Sequence, residues 1–241
     1  KINNFTDVIL TALDASAKND WLLTLGIQPT RPDTGYGYIQ FEEDSTNNNR
    51  ISKVKTFTEK PQYDLAVSFL KSGDFLWNSG IFIWRLKSIM KAIEQYLPEV
   101  DEIFREGLDF YDTPKENYFI SRAYPVVKNI SIDYGVMEKA DNVYVISADL
   151  GWSDLGTWGS LYENLPKDGS GNSIIGNNVM SYELKNCIVN MPKDKLVVLH
   201  GLEDYIVVES DNILLVCHKK DEQEIRNFVE DIRTKKGEEF V

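Results

Sequence analysis

Cysteine and histidine are scarce in this sequence, which contains two of each among 241 residues. Cys187 and Cys217 lack the spacing of a disulfide scaffold or a zinc site, so we interpret them as reduced, packed thiols of a cytoplasmic protein. His200 and His218 stand apart from each other and from any second metal ligand, so we interpret both as structural or surface residues. Nucleophilic catalysis by a Ser-His-Asp or Cys-His arrangement is therefore not expected.

Basic residues are also in deficit, because 26 lysines and arginines face 38 aspartates and glutamates and leave a formal net charge of −12. Nucleic acid is excluded as the main partner, since phosphate backbones are held by an excess of positive charge. A small phosphorylated molecule is not excluded, because one or two well-placed cations can hold it. No apolar run is long enough to span a bilayer and no charged-then-apolar leader opens the chain, so no membrane partner is expected.

The sequence does contain an alternation of helical and strand-like segments, followed by a stretch of short β-rich runs. Residues 5–17 have helical apolar spacing, residues 21–27 form a short and almost entirely apolar run, and helices and strands then alternate. This alternation predicts an α/β fold with a mostly parallel sheet over residues 1–165. The short β-rich runs and a charged amphipathic helix predict a small β-rich domain with a terminal helix over residues 166–241.

Two short motifs contain groups that suit a ligand. Gly35 and Gly37 lie two apart just before a strand, where glycine lets the backbone approach a ligand closely, although a tight turn would need glycine equally. Glu59 and Lys60 follow a strand, and ligands of open α/β sheets collect at such strand ends. Glu59 could accept hydrogen bonds from sugar hydroxyls and Lys60 could pair with a phosphate, unless the two form an ordinary solvated surface pair.

Two further motifs place an amide and a carboxylate in unusual surroundings. Asn78 enters an apolar strand, and its amide can donate and accept at once, which suits a sugar ring. An Asn-Gly turn into a core strand is the alternative. Asp154 lies in a loop rich in glycine and tryptophan, where it could complete an octahedral Mg²⁺ site with substrate phosphates. The alternative is that Asp154 caps the following helix.

The order of these motifs resembles the mannose-1-phosphate guanylyltransferases of the sugar-1-phosphate nucleotidyltransferase family. The motifs are TGYGYI, FTEKP, WNSGIFIW, SIDYGVMEK and GWSDLGTW. The resemblance is close over residues 1–165 and looser beyond them. It implies a partial Rossmann-like nucleotidyltransferase domain, a small left-handed β-helix-like domain that the family uses for dimer contacts, and a C-terminal helix. A homodimer is therefore one implied assembly.

The resemblance implies substrate-binding roles for five of the residues named above. Gly35 and Gly37 would belong to the glycine motif that brings backbone up to the sugar. Glu59 would hold the sugar hydroxyls, Lys60 the 1-phosphate and Asn78 the ring.

The resemblance further implies that Lys60 and Asp154 are the catalytic residues and that they meet at one pocket rim. Asp154 would be one of two aspartates that hold Mg²⁺. The implied reaction makes GDP-mannose and pyrophosphate from GTP and mannose-1-phosphate by in-line attack, without a covalent enzyme intermediate. Asp133 lies in a matching motif, but the resemblance assigns it no role.

The sequence departs from the family in one respect, because it contains no glycine-rich strand–loop–helix of the type GxGxRLxP, which binds the nucleotide phosphates. The first glycine is Gly26, and the upstream aspartate that shares the metal is missing too. We therefore expect a C-terminal portion of such an enzyme, which by itself binds GTP poorly and turns over little. We also expect the apolar run 22–27 to be uncovered unless a partner or self-association covers it.

Two other functions remain open from the sequence. One is a uridylyl- or thymidylyltransferase acting on glucose-1-phosphate, since base choice depends largely on the segment that is missing. The other is a non-catalytic relative that only binds sugar phosphates or a partner subunit. The joint presence of Glu59, Lys60 and Asp154 disfavours this second alternative, because a scaffold does not need all three.

Overall fold

A computed structural model describes residues 1–42, 50–211 and 213–240. The chain divides into two compact units, Lys1–Trp152 and Ser153–Val241. The domain boundary that the sequence suggests after residue 165 stays a prediction. None of the helices in the described ranges is long and apolar enough to cross a membrane.

The first unit alternates helices and strands, as the sequence predicts. In chain order its elements are α1 (Ile2–Lys18), β1 (Leu22–Ile27), β2 (Tyr38–Phe41), β3 (Ile51–Thr58), α2 (Tyr63–Ser72), β4 (Phe75–Ile83), α3 (Leu86–Tyr96), α4 (Pro98–Arg105), α5 (Glu116–Ala123), a π-helical turn (Asp133–Met137) and β5 (Val143–Ser147).

Glycine and proline set two of the helix ends in this unit. α2 stops at Gly73, whose φ of 80° is the left-handed conformation that commonly ends a helix. α4 begins at Pro98, whose missing N–H and fixed φ suit the first helical position. These local signals account for the end of α2 and the start of α4.

The five strands of the first unit pair in the closed order β1, β4, β2, β3, β5. Only β1 and β5 are parallel among these described pairs, and the other four pairs are antiparallel. The α/β prediction is confirmed, but the prediction of a mostly parallel sheet is wrong. The sequence argument treated helices between strands as crossovers between parallel neighbours. β3 and β4, which flank α2, are not neighbours in the sheet.

β1 is buried on both faces. Leu22, Leu23 and Leu25 have no exposed surface, and burial of each such side chain contributes about 1.5–3 kcal/mol. Val8 and Ala12 of α1 pack with Leu23 and Leu25, while α3 packs on the side of Leu22. The expectation that this apolar run is uncovered is therefore wrong within the described chain, because two helices cover it and β4 and β5 flank it.

The second unit consists of short strands between two helices. Its elements are α6 (Trp158–Asn164), β6 (Ser173–Ile175), β7 (Val179–Tyr182), β8 (Ile188–Asn190), β9 (Val197–His200), β10 (Tyr205–Ser210), β11 (Ile213–His218), a 3₁₀ turn (Lys219–Glu224), α7 (Ile225–Lys236) and a final 3₁₀ turn (Glu238–Phe240).

The strands of the second unit stack in a β-helix-like manner. β6, β8 and β10 form one parallel stack, β7 and β9 form a second, and β11 closes the first stack in antiparallel pairing. Residues 188, 189, 206 and 207 are at most 1% exposed, and because successive side chains point to opposite faces, these strands are covered on both faces. The predicted β-rich domain with a terminal helix is confirmed, and the left-handed sense of its winding stays a prediction.

Both cysteines lie in the second unit as free thiols. Cys187 is fully buried in the interior of the stacked strands. Burial raises the pKa of the Cys217 thiol, and the neighbouring Asp221 and Glu222 act in the same direction. The interpretation of both cysteines as packed, unpaired thiols is confirmed.

Candidate functional site

The loop that precedes β2 is held by an internal ion pair. Arg31 donates through Nε to Asp33 Oδ2 at 3.0 Å, and Asp33 Oδ1 accepts from the Gly35 N–H at 2.9 Å. The Arg31 guanidinium also lies over the indole of Trp77, 5.3 Å from the ring centroid. Because Asp33 is only 12% exposed, this contact fixes the shape of the loop that contains Gly35 and Gly37.

The backbone at Gly37 lies close to both Glu59 and Asn78. Its carbonyl accepts from the Asn78 N–H at 2.8 Å. A Cβ at this position would overlap Oε2 of Glu59 and would lie 3.3 Å from the Cβ of Asn78. Its φ lies outside the left-handed region. Glycine is therefore needed here because a side chain has no room. A tight turn would instead need glycine for a positive φ, which Gly37 does not have.

Glu59 and Lys60 follow β3 directly. Lys60 Nζ lies 3.1 Å from Glu59 Oε1, and the Lys60 and Glu59 side chains are 41% and 11% exposed. Lys60 has a φ of 48°, and its N–H donates to the Tyr36 carbonyl at 3.2 Å. The carboxylate is thus largely buried while the ammonium group reaches solvent, which a solvated surface pair would not show.

The surroundings of Glu59 disfavour its ionised form. Burial raises the pKa of the Glu59 carboxyl, and the nearby Asp133 and Glu138 carboxylates raise it further, whereas Lys60 opposes them. Glu138 also accepts a hydrogen bond from the Glu59 N–H at 3.3 Å through Oε1. Three acidic side chains and one lysine therefore share this end of β3.

Asn78 lies in the middle of β4, opposite Gly26 of β1. Its amide oxygen accepts from the Thr24 hydroxyl at 2.9 Å and from the Gly80 N–H at 3.2 Å. Its amide nitrogen donates to Asp133 Oδ1 at 3.0 Å. The structure therefore brings Asn78 together with Gly37 and Glu59, and it places Asn78 in a strand and not in the alternative Asn-Gly turn.

Sequence reasoning missed Thr24 and left Asp133 without a role. Thr24 is fully buried in β1, where a β-branched residue in an apolar run gives no sign of a functional contact. Asp133 begins the π-helical turn Asp133–Met137, and such turns are rare and frequent at functional sites. The SIDYGVMEK motif marked Asp133, but its partner Asn78 is 55 residues away in the sequence.

Asp154 lies in the second unit, and its predicted meeting with Lys60 stays a prediction. Asp154 Oδ1 accepts from the Gly156 N–H at 2.9 Å. The helix cap of α6 is Thr157, whose hydroxyl accepts from the Ser160 N–H at 3.1 Å. The alternative role of Asp154 as the cap of that helix is therefore wrong.

The donor chemistry of Asp154 suits one ligand of Mg²⁺. Carboxylate oxygen is a ligand that this cation prefers, and it usually takes one or two protein carboxylates together with water and substrate phosphates. The described residues contain no group of three or more histidine, cysteine, aspartate or glutamate side chains that could hold a metal by themselves. Magnesium at Asp154 stays a prediction.

The two histidines take structural positions. His218 Nδ1 accepts from the Lys220 N–H at 3.3 Å and caps the 3₁₀ turn that follows it. His200 Nε2 lies 3.8 Å from a carboxylate oxygen of Glu183, and both side chains are well exposed. The interpretation of both histidines as structural or surface residues agrees with these contacts.

A glycine loop, a largely buried acid beside a partly exposed lysine, and an amide held within a strand lie close together in the first unit. The chain belongs to the nucleotidyl transferase family, whose profile matches residues 3–170. Residues 177–232 match the profile of the mannose-phosphate isomerase/GMP-like β-helix domain. The predicted order of a nucleotidyltransferase domain and a β-helix-like domain is thereby confirmed.

Several proteins similar to this chain are named mannose-1-phosphate guanylyltransferase. The chain is 36% identical over 226 residues to a putative mannose-1-phosphate guanylyltransferase of Vibrio cholerae serotype O1, covering 91% of this chain and 46% of that protein. It is 33% identical over 246 residues to a mannose-1-phosphate guanylyltransferase of Escherichia coli, covering 99% and 51%. The recognition made from the motifs is confirmed. The chain spans about half the length of these curated relatives.

A solved structure agrees with the sequence relatives. The crystal structure of mannose-1-phosphate geranyltransferase from Thermus thermophilus superimposes with a TM-score of 0.77 at 27% identity, covering 97% of this chain and 66% of that one. This similarity supports the α/β and β-helix-like arrangement described above. The homodimer and the cytoplasmic location stay predictions.

Proposed function

We propose that this chain supplies the sugar-phosphate site of an enzyme that makes GDP-mannose and pyrophosphate from GTP and mannose-1-phosphate. The relatives of this chain that are named mannose-1-phosphate guanylyltransferase support the choice of substrates. The observation that carries the proposal is the convergence of Glu59, Lys60 and Asn78 around Gly37.

Lys60 is the residue suited to the 1-phosphate. Its side chain is 41% exposed, its charge is opposite to that of the phosphate, and its backbone is fixed by the hydrogen bond to the Tyr36 carbonyl. Lysine binds phosphate as a point charge, so no fixed fork geometry is required. Because the chain has a net charge of −12, it attracts an anionic ligand only where a positive group such as Lys60 lies close to that ligand.

Glu59 and the backbone at Gly37 are suited to the sugar. The Glu59 carboxyl has two oxygens that can accept hydrogen bonds, with Oε1 beside Lys60 and Oε2 beside Gly37. A hydroxyl-rich ring that approaches Gly37 would meet this carboxylate. Because Glu59 is largely buried, its hydrogen bonds are less weakened by competing water than those of an exposed residue.

The reaction needs no covalent enzyme intermediate. An oxygen of the mannose phosphate attacks the α-phosphorus of GTP, a new P–O bond forms, and pyrophosphate leaves with the electrons of the broken bond. Lys60 and Glu59 contribute by fixing the attacking phosphate and its sugar in one orientation. Asp154 would hold Mg²⁺, and when bound this cation neutralises charge on the reacting phosphates.

Product formation tests this proposal. The full translation product of the gene is incubated with mannose-1-phosphate or glucose-1-phosphate and with GTP, UTP or dTTP, and nucleotide sugars are separated by chromatography. We expect GDP-mannose as the main product. In Lys60→Ala the rate of GDP-mannose formation should fall by at least about tenfold. Lys53→Ala, which removes the same charge from an exposed position of β3, is the matched control.

Three results would contradict this account in different ways. Preference for UTP or dTTP with glucose-1-phosphate would favour the uridylyl- or thymidylyltransferase alternative. Absence of any nucleotide sugar would favour a binding protein without catalysis. Unchanged turnover in Asp154→Asn would remove the metal role while leaving the sugar-phosphate site in place.

A further inference from the structure

The amide of Asn78 has an orientation that its partners determine. The Gly80 N–H can only donate, so the atom that faces it at 3.2 Å is the amide oxygen. The Asp133 carboxylate can only accept when ionised, so the atom that faces it at 3.0 Å is the amide nitrogen. The two partners lie on opposite ends of the amide and allow one orientation, which removes the usual ambiguity between oxygen and nitrogen.

Thr24 occupies the remaining capacity of the amide oxygen. Its hydroxyl lies 2.9 Å from Asn78 Oδ1 and 3.3 Å from the Ile81 carbonyl. Both of those atoms are acceptors, and Asn78 Oδ1 is the nearer of the two, so the single hydroxyl proton of Thr24 is directed mainly at Asn78 Oδ1. Thr24 is fully buried, and the pairing of β1 with β4 shifts register between Thr24 and Gly26, next to Asn78.

Counting donors and acceptors limits what Asn78 can offer a ligand. The amide oxygen has two lone pairs, and Thr24 and Gly80 use both. The amide nitrogen has two protons, and Asp133 takes one. One N–H remains without a partner among the described residues. The sequence suggested that Asn78 donates and accepts at once, whereas these contacts leave it as a donor of one proton.

Asp133 also lies close to Glu59, the other side chain assigned to the sugar. Its carboxylate acts on Glu59 electrostatically, while its Oδ1 accepts from Asn78. The π-helical turn Asp133–Met137 places Gly135, Val136 and Met137 in the buried interior, so the start of this turn is held by packing. Asp133 is thus held in place and interacts with the side chains of both Asn78 and Glu59.

We propose that Thr24 and Asp133 are positioning residues, which hold the Asn78 amide so that its one remaining N–H meets an oxygen of the bound sugar 1-phosphate. This inference rests on the proposed function. It assigns to Asp133 a role for which the motif alone gives no basis, and it makes the ligand oxygen at Asn78 a hydrogen-bond acceptor.

A binding cycle tests the inference on the 241-residue chain. Titration calorimetry measures the affinity for mannose-1-phosphate in the wild type, Thr24→Val, Asp133→Ala, Asn78→Ala and the two double variants that combine each substitution with Asn78→Ala. We expect Thr24→Val and Asp133→Ala each to weaken binding by about tenfold. In the Asn78→Ala background Thr24→Val should not weaken binding further, because Thr24 acts through that amide, and Asp133→Ala should change it much less, because only its electrostatic effect on Glu59 remains.

Conservative variants separate positioning from a purely structural role. Thr24→Ser keeps the hydroxyl and should restore most of the affinity that Thr24→Val loses, and thermal unfolding is measured for every variant. Wild-type affinity in Thr24→Val, or an undiminished effect of Asp133→Ala in the Asn78→Ala background, would overturn the inference. Failure of the wild type to bind mannose-1-phosphate would instead contradict the proposed function, and the inference would fall with it.

A measurement on the unmodified protein covers the case in which a variant does not fold. In ¹⁵N-labelled protein the Asn78 side-chain amide gives its own pair of proton signals, identified by their absence in Asn78→Ala. We expect one of the two protons to exchange slowly with solvent in the free protein, and the other to become slow when mannose-1-phosphate binds. Fast exchange of both protons in the bound state would overturn the inference.

Discussion

Gly37 has no room for a side chain on the side that faces Glu59. In Gly37→Ala the new methyl group would displace the Glu59 carboxylate, which is the mobile end of a flexible side chain. The backbone there does not need a positive φ, and alanine restricts the unfolded chain, so the free energy of unfolding should change by no more than about 1 kcal/mol. Affinity for mannose-1-phosphate should fall by about tenfold, as measured by calorimetry.

Gly169→Ala is the matched control for that substitution. A Cβ at Gly169 would meet no atom within 4 Å, so neither affinity nor stability should fall. An unchanged affinity in Gly37→Ala would show that the close contact with Glu59 does not matter for the ligand.

The raised pKa of Glu59 predicts a pH-dependent stability. The folded protein holds this proton more tightly than the unfolded chain does, mainly because of burial and with help from Asp133 and Glu138 against Lys60. The free energy of unfolding therefore loses a contribution as the pH rises from the ordinary value of 4.5 through the raised pKa. In Glu59→Gln this loss is absent, so the stability of the variant relative to the wild type should increase over that window and level off above it.

Urea unfolding at a series of pH values measures this difference. Glu42→Gln, which removes a charge at an exposed position, corrects for the change in net charge. A difference between Glu59→Gln and the wild type that stays constant or decreases with rising pH would contradict the assigned direction of the pKa shift.

The sequence allowed prediction of the site residues whose chemistry is unusual for their position. Glu59 and Lys60 stood at a strand end, and Asn78 interrupted an apolar strand. Thr24 could not be found in this way, because a threonine in a buried strand is ordinary, and its functional contact depends on the bulge between β1 and β4. Long-range pairing of this kind leaves no local trace in the sequence.

Thr157 determines the start of α6, and its substitution should affect that element alone. Its hydroxyl accepts from the Ser160 N–H at 3.1 Å. Thr157→Ala leaves that donor unsatisfied and should lower the free energy of unfolding by about 1 kcal/mol. Thr157→Ser retains the cap and should cost little. Asp154→Asn should change stability by less than about 0.5 kcal/mol, since Asp154 does not cap the helix.

Chemical denaturation of the three variants measures these effects. If Asp154→Asn destabilised the protein as much as Thr157→Ala, then Asp154 would have a structural role that the described contacts do not explain. If Thr157→Ala had no effect, the assignment of the cap would be contradicted.

Elements with strong local signals were predictable, and their pairing was not. The predicted helix at residues 5–17 corresponds to α1 (Ile2–Lys18), because apolar spacing and burial agree there. β4 (Phe75–Ile83) includes Asn78, since pairing with β1 and β2 overrides the low strand propensity of asparagine and glycine. The antiparallel order followed from contacts between distant segments, which periodicity does not encode.

The molecule as a whole is acidic, and the proposed site offers an anion the ammonium group of Lys60. Its net charge of −12 repels phosphates at a distance, so an anionic ligand depends on a positive group close by. Within the first unit, the partly exposed Lys60 beside the buried Glu59 provides such a contact. The proposed function therefore depends on whether this one ammonium group holds a sugar phosphate.

The affinity of the 241-residue chain for mannose-1-phosphate, measured by calorimetry in the wild type, Lys60→Ala and Lys53→Ala, tests that claim most directly. The account predicts saturable binding that Lys60→Ala weakens by about tenfold or more, as expected for a lost charge-assisted contact. It predicts that Lys53→Ala binds like the wild type. Equal affinity in the wild type and Lys60→Ala would contradict it.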